Sequence, residues 1–588
     1  MHSNPFPNKL PLKLLLSVLL TLNLSPASAE VPTAKKQSST SQFLIRYDTI
    51  NHPVTSTEGM VVSQNSLASQ VGAEILEQGG NAVDAAVATG FALAVTLPRA
   101  GNIGGSGFML VHLAEENKTV AIEYYGQAPQ NITPELLATA DGEWDRDKRY
   151  SHLGVGIPGT VAGLYHAHQK YGKLPWKTLV KPAIELAQRG ITVTPDLSYA
   201  LSTMQGKLIN NKALAETLYK KDQSSYQPGE RLKQTDLAWS LKQIAKGGAD
   251  AFYKGAIADK IVADMKANGG VITHDDLANY RVNERQPIWG DYRGYQMAYM
   301  PPPSNGIGFK QLMNILENFP IAEYGSNSSD NIHLLSEAQK LVTVDRTRFM
   351  GGYPQHKVPE KGLGSKAYAK QLAELIDMQQ ARPITDILPG DPLQYESRDT
   401  THYSVVDKDG NAVSNTYTIS SSFGAYVMAE GTGIILNDHL GNFGLSVDES
   451  KVRNSKASLA NVLRPGKRVV SGISPVIVLK DGKPVIISGS PGGARIMPVV
   501  AQVLMNVIDH GMNIADATQT PRSYQGISNQ LELESGHPKD VVRALEQRGH
   551  SIKHGATMGS TQSILIEGSE LNGAADTRRP DAKAVGVK

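Results

Sequence analysis

The chain runs to 588 residues and carries 58 basic against 56 acidic side chains. With no long run of Lys or Arg, that balance argues against a binder of phosphate backbones, and nucleic acid is not an expected partner. No cysteine occurs, which excludes disulfides, thiol nucleophiles and Cys-ligated metals, so stability must come from packing in a chain long enough to build a large core.

At the N-terminus, Lys9 and Lys13 precede an apolar run from Leu14 to Leu24, and Ala27-Ser28-Ala29 closes it. A charged head, a short apolar segment and a small-x-small site predict a cleaved export leader over 1–29. The run falls well short of the roughly 20 residues a membrane-crossing helix needs, so no stable membrane anchor is expected. A buried N-terminal helix is the alternative reading. The leader predicts export, to a periplasm or beyond.

Residues 30–57 are polar and read as an extended lead-in. GMVVSQ then reads as a strand, and the stretch from Ser66 as two helices broken at Gly79-Gly80. The second, NAVDAAVATGFALAVT, is small and apolar all round, as in a helix buried on every side. GNIGGSGFMLVHLAEENKTVAIEYYG reads as a glycine turn feeding two paired strands. From 157 to 390 amphipathic helices dominate, and several end in Gly, a common helix C-cap. PPPSNG at 301–306 separates a strand from a helix. Beyond 400 strands prevail, with hairpins turning at Asp409-Gly410-Asn411 and Asp481-Gly482. No internal repeat is visible. A sheet core with helices on its faces fits this inventory, and an αββα stack is one way to build it.

SRDTTHYSVVD at 397–407 places two threonines at the mouth of a strand. A threonine hydroxyl is a poor nucleophile until a base takes its proton, and the residue's own α-amine serves when Thr begins a chain. Cleavage of Asp399–Thr400, by attack of the Thr400 hydroxyl on the preceding carbonyl, would create that arrangement and leave two fragments. The second hydroxyl one hairpin arm away, Thr418, can orient the nucleophile. Ser490-Pro491-Gly492-Gly493 offers uncovered backbone N–H groups for a developing oxyanion. Each signal has a plainer reading: Thr-Thr as β-branched strand filler, SPGG as an ordinary turn. GNIGGSG lacks the Lys-Ser/Thr of a phosphate loop and reads as a packing turn. No histidines stand at ligand spacing, so neither a metal nor another cofactor is expected.

Taken together, GGNAVDAAVATGFALAVTLPRAGNIGGSGFML, VGIPGTVAG, MPPPSNG, TTHYSVVDKDGNAVSNTYT, SGISP, GSPGGARI and GAADTRRPDAKAVG resemble the γ-glutamyltranspeptidase (glutathione hydrolase) family, in family order from Gly59 to the C-terminus. The resemblance implies an N-terminal-nucleophile αββα fold. It further implies an autoprocessed heterodimer: a large subunit, 30–399, and a small catalytic subunit, 400–588. Thr400 matches the nucleophile, Thr418 its supporting threonine, and Gly492 and Gly493 the oxyanion pair. Ser420 falls where members carry Ser or Asn near the substrate ammonium.

The head-group contacts depart from that pattern. The family grips the γ-glutamyl α-carboxylate with an arginine in (D/E)-x-R-E-x-A-P, whereas Glu123 to Pro129 put Tyr125 there. A phenol cannot form the bidentate pair of a guanidinium. His439 and Asn442 stand where an amide or acid and an aspartate meet the α-ammonium, and Ser471-Gly472 replaces a Ser-Ser pair. Arg453 is a candidate compensating cation, with a solvent-facing loop arginine as the alternative. The expected activity is an amidohydrolase/acyltransferase on γ-glutamyl amides, passing the acyl group to water or an amine. An acylase for a glutaryl-type acyl group, by the same chemistry, is the alternative. A non-catalytic binding homologue is the reading from another class.

Overall fold

The computed structural model describes residues 49–386, 400–446, 459–526 and 528–588. The leader, Asp399 and Arg453 lie outside the described residues.

Strands Thr401–Asp407 and Ala412–Thr418 pair antiparallel, with Thr401 opposite Tyr417. Their turn is made by sequence chemistry: the Asp407 carboxylate accepts the Asp409 and Asn411 N–H groups at 3.0 and 2.9 Å, and Gly410 takes φ +86°. This hairpin sits mid-sheet. In order, the seven strands are Lys583–Gly586, Gly59–Ser63, Thr401–Asp407, Ala412–Thr418, Ser106–Leu113, Lys118–Tyr124 and Asn283–Arg285. Thr401–Asp407 has a neighbour on each side, Ala412–Thr418 from Thr401 onward and Gly59–Ser63 from Tyr403 onward.

A second seven-stranded sheet runs Val54–Ser56, Glu570–Ala575, Gln562–Glu567, Lys483–Ser488, Val476–Lys480, Tyr295–Tyr299 and Ile288–Tyr292. Met60, Phe108 and Leu110 of the first sheet pack with Ile477, Ile487 and Ile564 of the second. Their chain neighbours Val61 and Met109, together with Tyr403 of Thr401–Asp407, pack instead against the helix Ala82–Thr96, whose 15 residues are all buried. On the far face, Met297, Val476 and Val478 pack with Phe309, Leu341 and Leu504 of helices Gly306–Leu316, Ser329–Phe349 and Ile496–Ile508. The layers are therefore helix, sheet, sheet, helix.

Several local expectations carry through. Helix Ala82–Thr96 begins with a capping box between Asn81 and Asp84, after the Gly79-Gly80 break. Gly190 and Gly248 end helices at φ +83° and +62°. Gly172 does not: its φ is −78°, and a Cβ there would lie 2.5 Å from His168 Cδ2, so tight packing rather than backbone hand requires the glycine. Among the described residues no helix is long and apolar enough to cross a membrane.

Candidate active site

Thr400 stands immediately before its strand, 5% exposed, on the face that alternation turns toward the layer between the sheets. Two residues on, His402 holds hydrogen bonds with Thr416 Oγ1 and Ser404 Oγ, while Ser404 Oγ donates to the Gln562 carbonyl of the facing sheet. The Thr400 hydroxyl donates to Thr418 Oγ1 at 3.3 Å, and Thr418 Oγ1 also accepts the Ser420 N–H at 2.8 Å. Ser420 takes φ +75°, an unusual conformation for a non-glycine residue that aims its amide back at Thr418.

The glycine turn before Ser106–Leu113 makes room for this corner. A Cβ at Gly105 would lie 2.3 Å from the Thr418 carbonyl oxygen, and one at Gly104 2.2 Å from that of Ile435. GNIGGSG is a close-packing turn.

Gly492 and Gly493 adopt φ +132° and +58°, and Gly493 opens a short turn leading into helix Ile496–Ile508. Neither N–H has an acceptor among the described residues. Two free amides at the positive end of a helix-led turn suit an anionic oxygen.

A small cleft opens at this point, lined by Tyr125, Thr400, Thr418, Ser420, Asn442, Ser471, Gly472, Ile473, Gly493 and Ile496. Of the ten residues singled out from sequence within the described regions, eight line it. Gly492 adjoins it through Gly493. His439 does not reach it. Its fully buried ring lies behind Tyr125, 4.9 Å centre to centre, with Ser106 Oγ 3.3 Å from its nitrogens. Burial pushes its pKa down to about 3, against an opposing hydrogen bond to the Thr418 main chain. It is a neutral wall, not a group facing substrate.

Tyr125 is clamped between Phe108, stacked at 4.7 Å, and His439. Its carbonyl accepts from Tyr280 Oη at 2.9 Å and Arg468 Nη1 at 2.5 Å. Arg468 is itself paired with the buried Glu123 carboxylate at 3.6 Å. That ion pair lies behind the tyrosine rather than in the cleft. Asn442 presents a buried Oδ1 with no hydrogen-bond partner among the described residues. Ser471 is braced through its N–H to the Pro303 carbonyl at 2.9 Å, and Ser304 Oγ and the Asn305 N–H both bond the Ile473 carbonyl, which is the work of the PPPSNG segment. No charged side chain lines the cleft among the described residues.

Sequence reasoning missed two features. Asp438, wholly buried, bonds Arg149 and Ser421 beneath the turn that carries Asn442. A smaller cleft also touches Thr400 from the other side, with Gln64, the Arg99–Asp196 ion pair and Arg579 in its wall. Lone charged residues far apart in sequence gave no pattern to find. His333, Glu337 and His550 also converge, all buried. Here both Glu337 oxygens are already engaged, by Lys340 Nζ at 2.7 Å and the Arg382 N–H at 3.2 Å, and the 2.7 Å contact between His333 Nδ1 and His550 Nε2 is a hydrogen bond. The cluster links the segments before and after Thr400.

Comparison with known proteins gives a family. The family model described as gamma-glutamyltranspeptidase matches residues 68–586. The glutathione hydrolase proenzyme of Escherichia coli K12 is 44% identical over 539 residues, covering 91% of this chain and 93% of that protein. The acylase ACY 1 proenzyme of Pseudomonas sp. SE83 is 40% identical over 508 residues, 85% of this chain and 88% of its own length. Among solved structures, the cephalosporin acylase of Bacillus halodurans superposes with a TM-score of 0.82 at 30% identity, covering 94% of this chain and 99% of that one.

Proposed function

Because this chain belongs to the gamma-glutamyltranspeptidase family, we propose that it is a self-processing amidohydrolase and acyltransferase that cleaves γ-glutamyl amides through a threonyl ester. The observation carrying this reading is the Thr400 hydroxyl, 3.3 Å from Thr418 Oγ1, in one cleft with the Gly493 turn.

In maturation, Thr400 Oγ attacks the Asp399 carbonyl, the peptide bond to Thr400 nitrogen breaks, and the resulting ester is hydrolysed. The products are a fragment ending at Asp399 and one beginning at Thr400. With the leader removed these are 30–399 and 400–588, held as a heterodimer by the interleaved sheets. The leader reading also places the protein in the periplasm. The freed α-amine then takes the Oγ proton as Oγ attacks a donor amide. The Gly492 and Gly493 amides hold the oxyanion, and Thr418 keeps the hydroxyl oriented. The departing amine takes up the proton. Water or an acceptor amine attacks the ester and frees Thr400.

On a denaturing gel the wild-type protein should run as two bands and Thr400→Ala as one. Purified enzyme should release the chromophore from a γ-glutamyl anilide. A single wild-type band, or two bands with no anilide turnover, would count against the reading at its first or second step.

Among the described residues the lining of the cleft is uncharged, which favours a second reading, a donor whose acyl group lacks the amino acid zwitterion, as in glutaryl-type amides. A charge-assisted hydrogen bond contributes about 1.5–3 kcal/mol, so losing two weakens γ-glutamyl recognition by roughly 10²–10⁴-fold. Assaying glutaryl and γ-glutamyl anilides side by side separates the two.

A further inference from the structure

The four-residue turn His439–Asn442 brings Asn442 to the cleft, and its N-cap residue, Asp438, makes no capping hydrogen bond to it. The Asp438 carbonyl accepts the Gly441 N–H at 3.0 Å, Asn437 Oδ1 accepts the His439 N–H at 3.1 Å and the Asn442 carbonyl accepts from Asn461 Nδ2 at 2.7 Å; a further hold on the turn comes from a distant segment. Arg149, from the short helix Arg146–Arg149, donates from Nε to Asp438 Oδ2 at 3.1 Å and from Nη1 to the Gly441 carbonyl at 3.3 Å. Its Nη2 lies 3.1 Å from the same carboxylate. One guanidinium thus grips the first and last parts of the turn. Gly441 permits this: a Cβ there would sit 2.4 Å from Arg149 Nε. Both charged groups are shielded, at 7% and 0% side-chain exposure.

Asp438 has a second attachment. Its Oδ1 and Oδ2 accept the N–H and hydroxyl of Ser421, each at 2.7 Å. Ser421 follows Ser420, whose amide bonds Thr418 Oγ1. The pair therefore ties two walls of the cleft to each other: the Asn442 turn and the Ser420 corner. It also joins the segment before Thr400 to the segment after it.

We propose that Arg149 is a positioning residue for donor recognition, acting through Asp438 and the Gly441 carbonyl to hold Asn442 against the acyl group. This rests on reading the cleft as the acyl site. Lysine cannot replace the function, because a single ammonium lacks the planar fork that spans a carboxylate and a carbonyl.

The test uses the full chain with Arg149→Lys and Arg149→Met. Both should still cleave themselves, because the Thr400 attack does not use Asn442 and Ser421 keeps both its hydrogen bonds to Asp438, so the Ser420 corner stays tied. For donor amides KM should rise about tenfold or more while kcat per active site, counted by acyl-enzyme burst, stays within about threefold, as expected when ground-state and transition-state binding weaken together. Methylguanidinium added to Arg149→Met should restore part of the lost affinity. Independently of any donor, deuterium exchange at residues 438–443 should quicken, with the sheets unchanged. Unaltered exchange there, or an unchanged KM with fewer active sites, would overturn the assignment and leave Arg149 a general stability residue. If wild-type enzyme turns over neither anilide, the donor reading fails, and the exchange result alone decides whether Arg149 holds the turn.

Discussion

The Thr418 hydroxyl oxygen accepts from two donors at once, the Thr400 hydroxyl at 3.3 Å and the Ser420 amide at 2.8 Å. Accepting from Thr400 turns the nucleophile's proton aside and fixes its rotamer. Thr418→Ala should therefore slow self-cleavage and amide turnover together, by about tenfold or more, in line with the loss of one hydrogen bond to a reacting group. Thr418→Ser keeps the oxygen and should retain most of both rates. Timed denaturing gels and an anilide assay read the two. Equal loss in the serine variant would show that the methyl group, and not the oxygen, matters.

Stability should fall as the medium is acidified. Burial pushes His402, His439 and His550 down to about 3 from an ordinary value near 6.5. Between those limits the unfolded chain binds protons that the folded chain refuses, so stability rises with pH through this window and levels off above it. The thermal midpoint should thus drop steadily from pH 7 to pH 4.5. Asp345 and Asp407, raised by burial, act in the opposite sense nearer the acid end. His402→Asn, compared with wild type over the same range, isolates one contribution and should flatten the slope. A midpoint unchanged by acidification would contradict the buried neutral histidines.

What could be read from the sequence was mostly local. Asp409-Gly410-Asn411 and Asp481-Gly482 announce their hairpins because φ > 0 is needed there and few residues supply it, and Asp481 and Gly482 take φ +53° and +77°. The apolar helix Ala82–Thr96 announced its own burial. The site was less evenly legible. Asn442 and His439 come from one loop, yet the short helical turn between them sends one to the cleft and the other behind Tyr125. Motif spacing carries no such information. Arg149 and Asp438 lie 289 positions apart and make contact only because two segments meet beneath the turn. RDKR in isolation reads as surface.

Gly492 offers a test of the oxyanion amides that spares the core. Nothing lies closer than 3.5 Å to a Cβ placed there, so the objection to alanine is its φ of +132°, not its volume. Gly492→Ala should fold, relieve strain by rotating the peptide, and misaim the Gly493 N–H. Turnover should fall about 10²-fold, the scale of losing one preorganised donor, with little change in KM. Circular dichroism, the thermal midpoint and steady-state kinetics together distinguish this from misfolding.

The head-group contacts make the sharpest prediction. Tyr125 and Asn442 both line the cleft, and the family pattern would have arginine and aspartate there. Tyr125→Arg with Asn442→Asp introduces one charge of each sign, suited to the α-carboxylate and α-ammonium of a γ-glutamyl donor. The new guanidinium can stack between Phe108 and His439 as the phenol does, but it lies close to Arg468, whose Nη1 already bonds the residue's carbonyl. That like-charge approach should lower the thermal midpoint by about one degree, the shift that about 1 kcal/mol produces in a chain this large. Against that cost, kcat/KM for a γ-glutamyl anilide should rise about tenfold or more, while turnover of a glutaryl anilide falls as Asn442→Asp sets a carboxylate where no ammonium comes to meet it. Each single variant leaves one charge without its intended partner and should gain less than the pair. If the double variant folds, cleaves itself and shows no gain on the γ-glutamyl substrate, then these two positions do not read the donor's head group, whatever else lines the cleft.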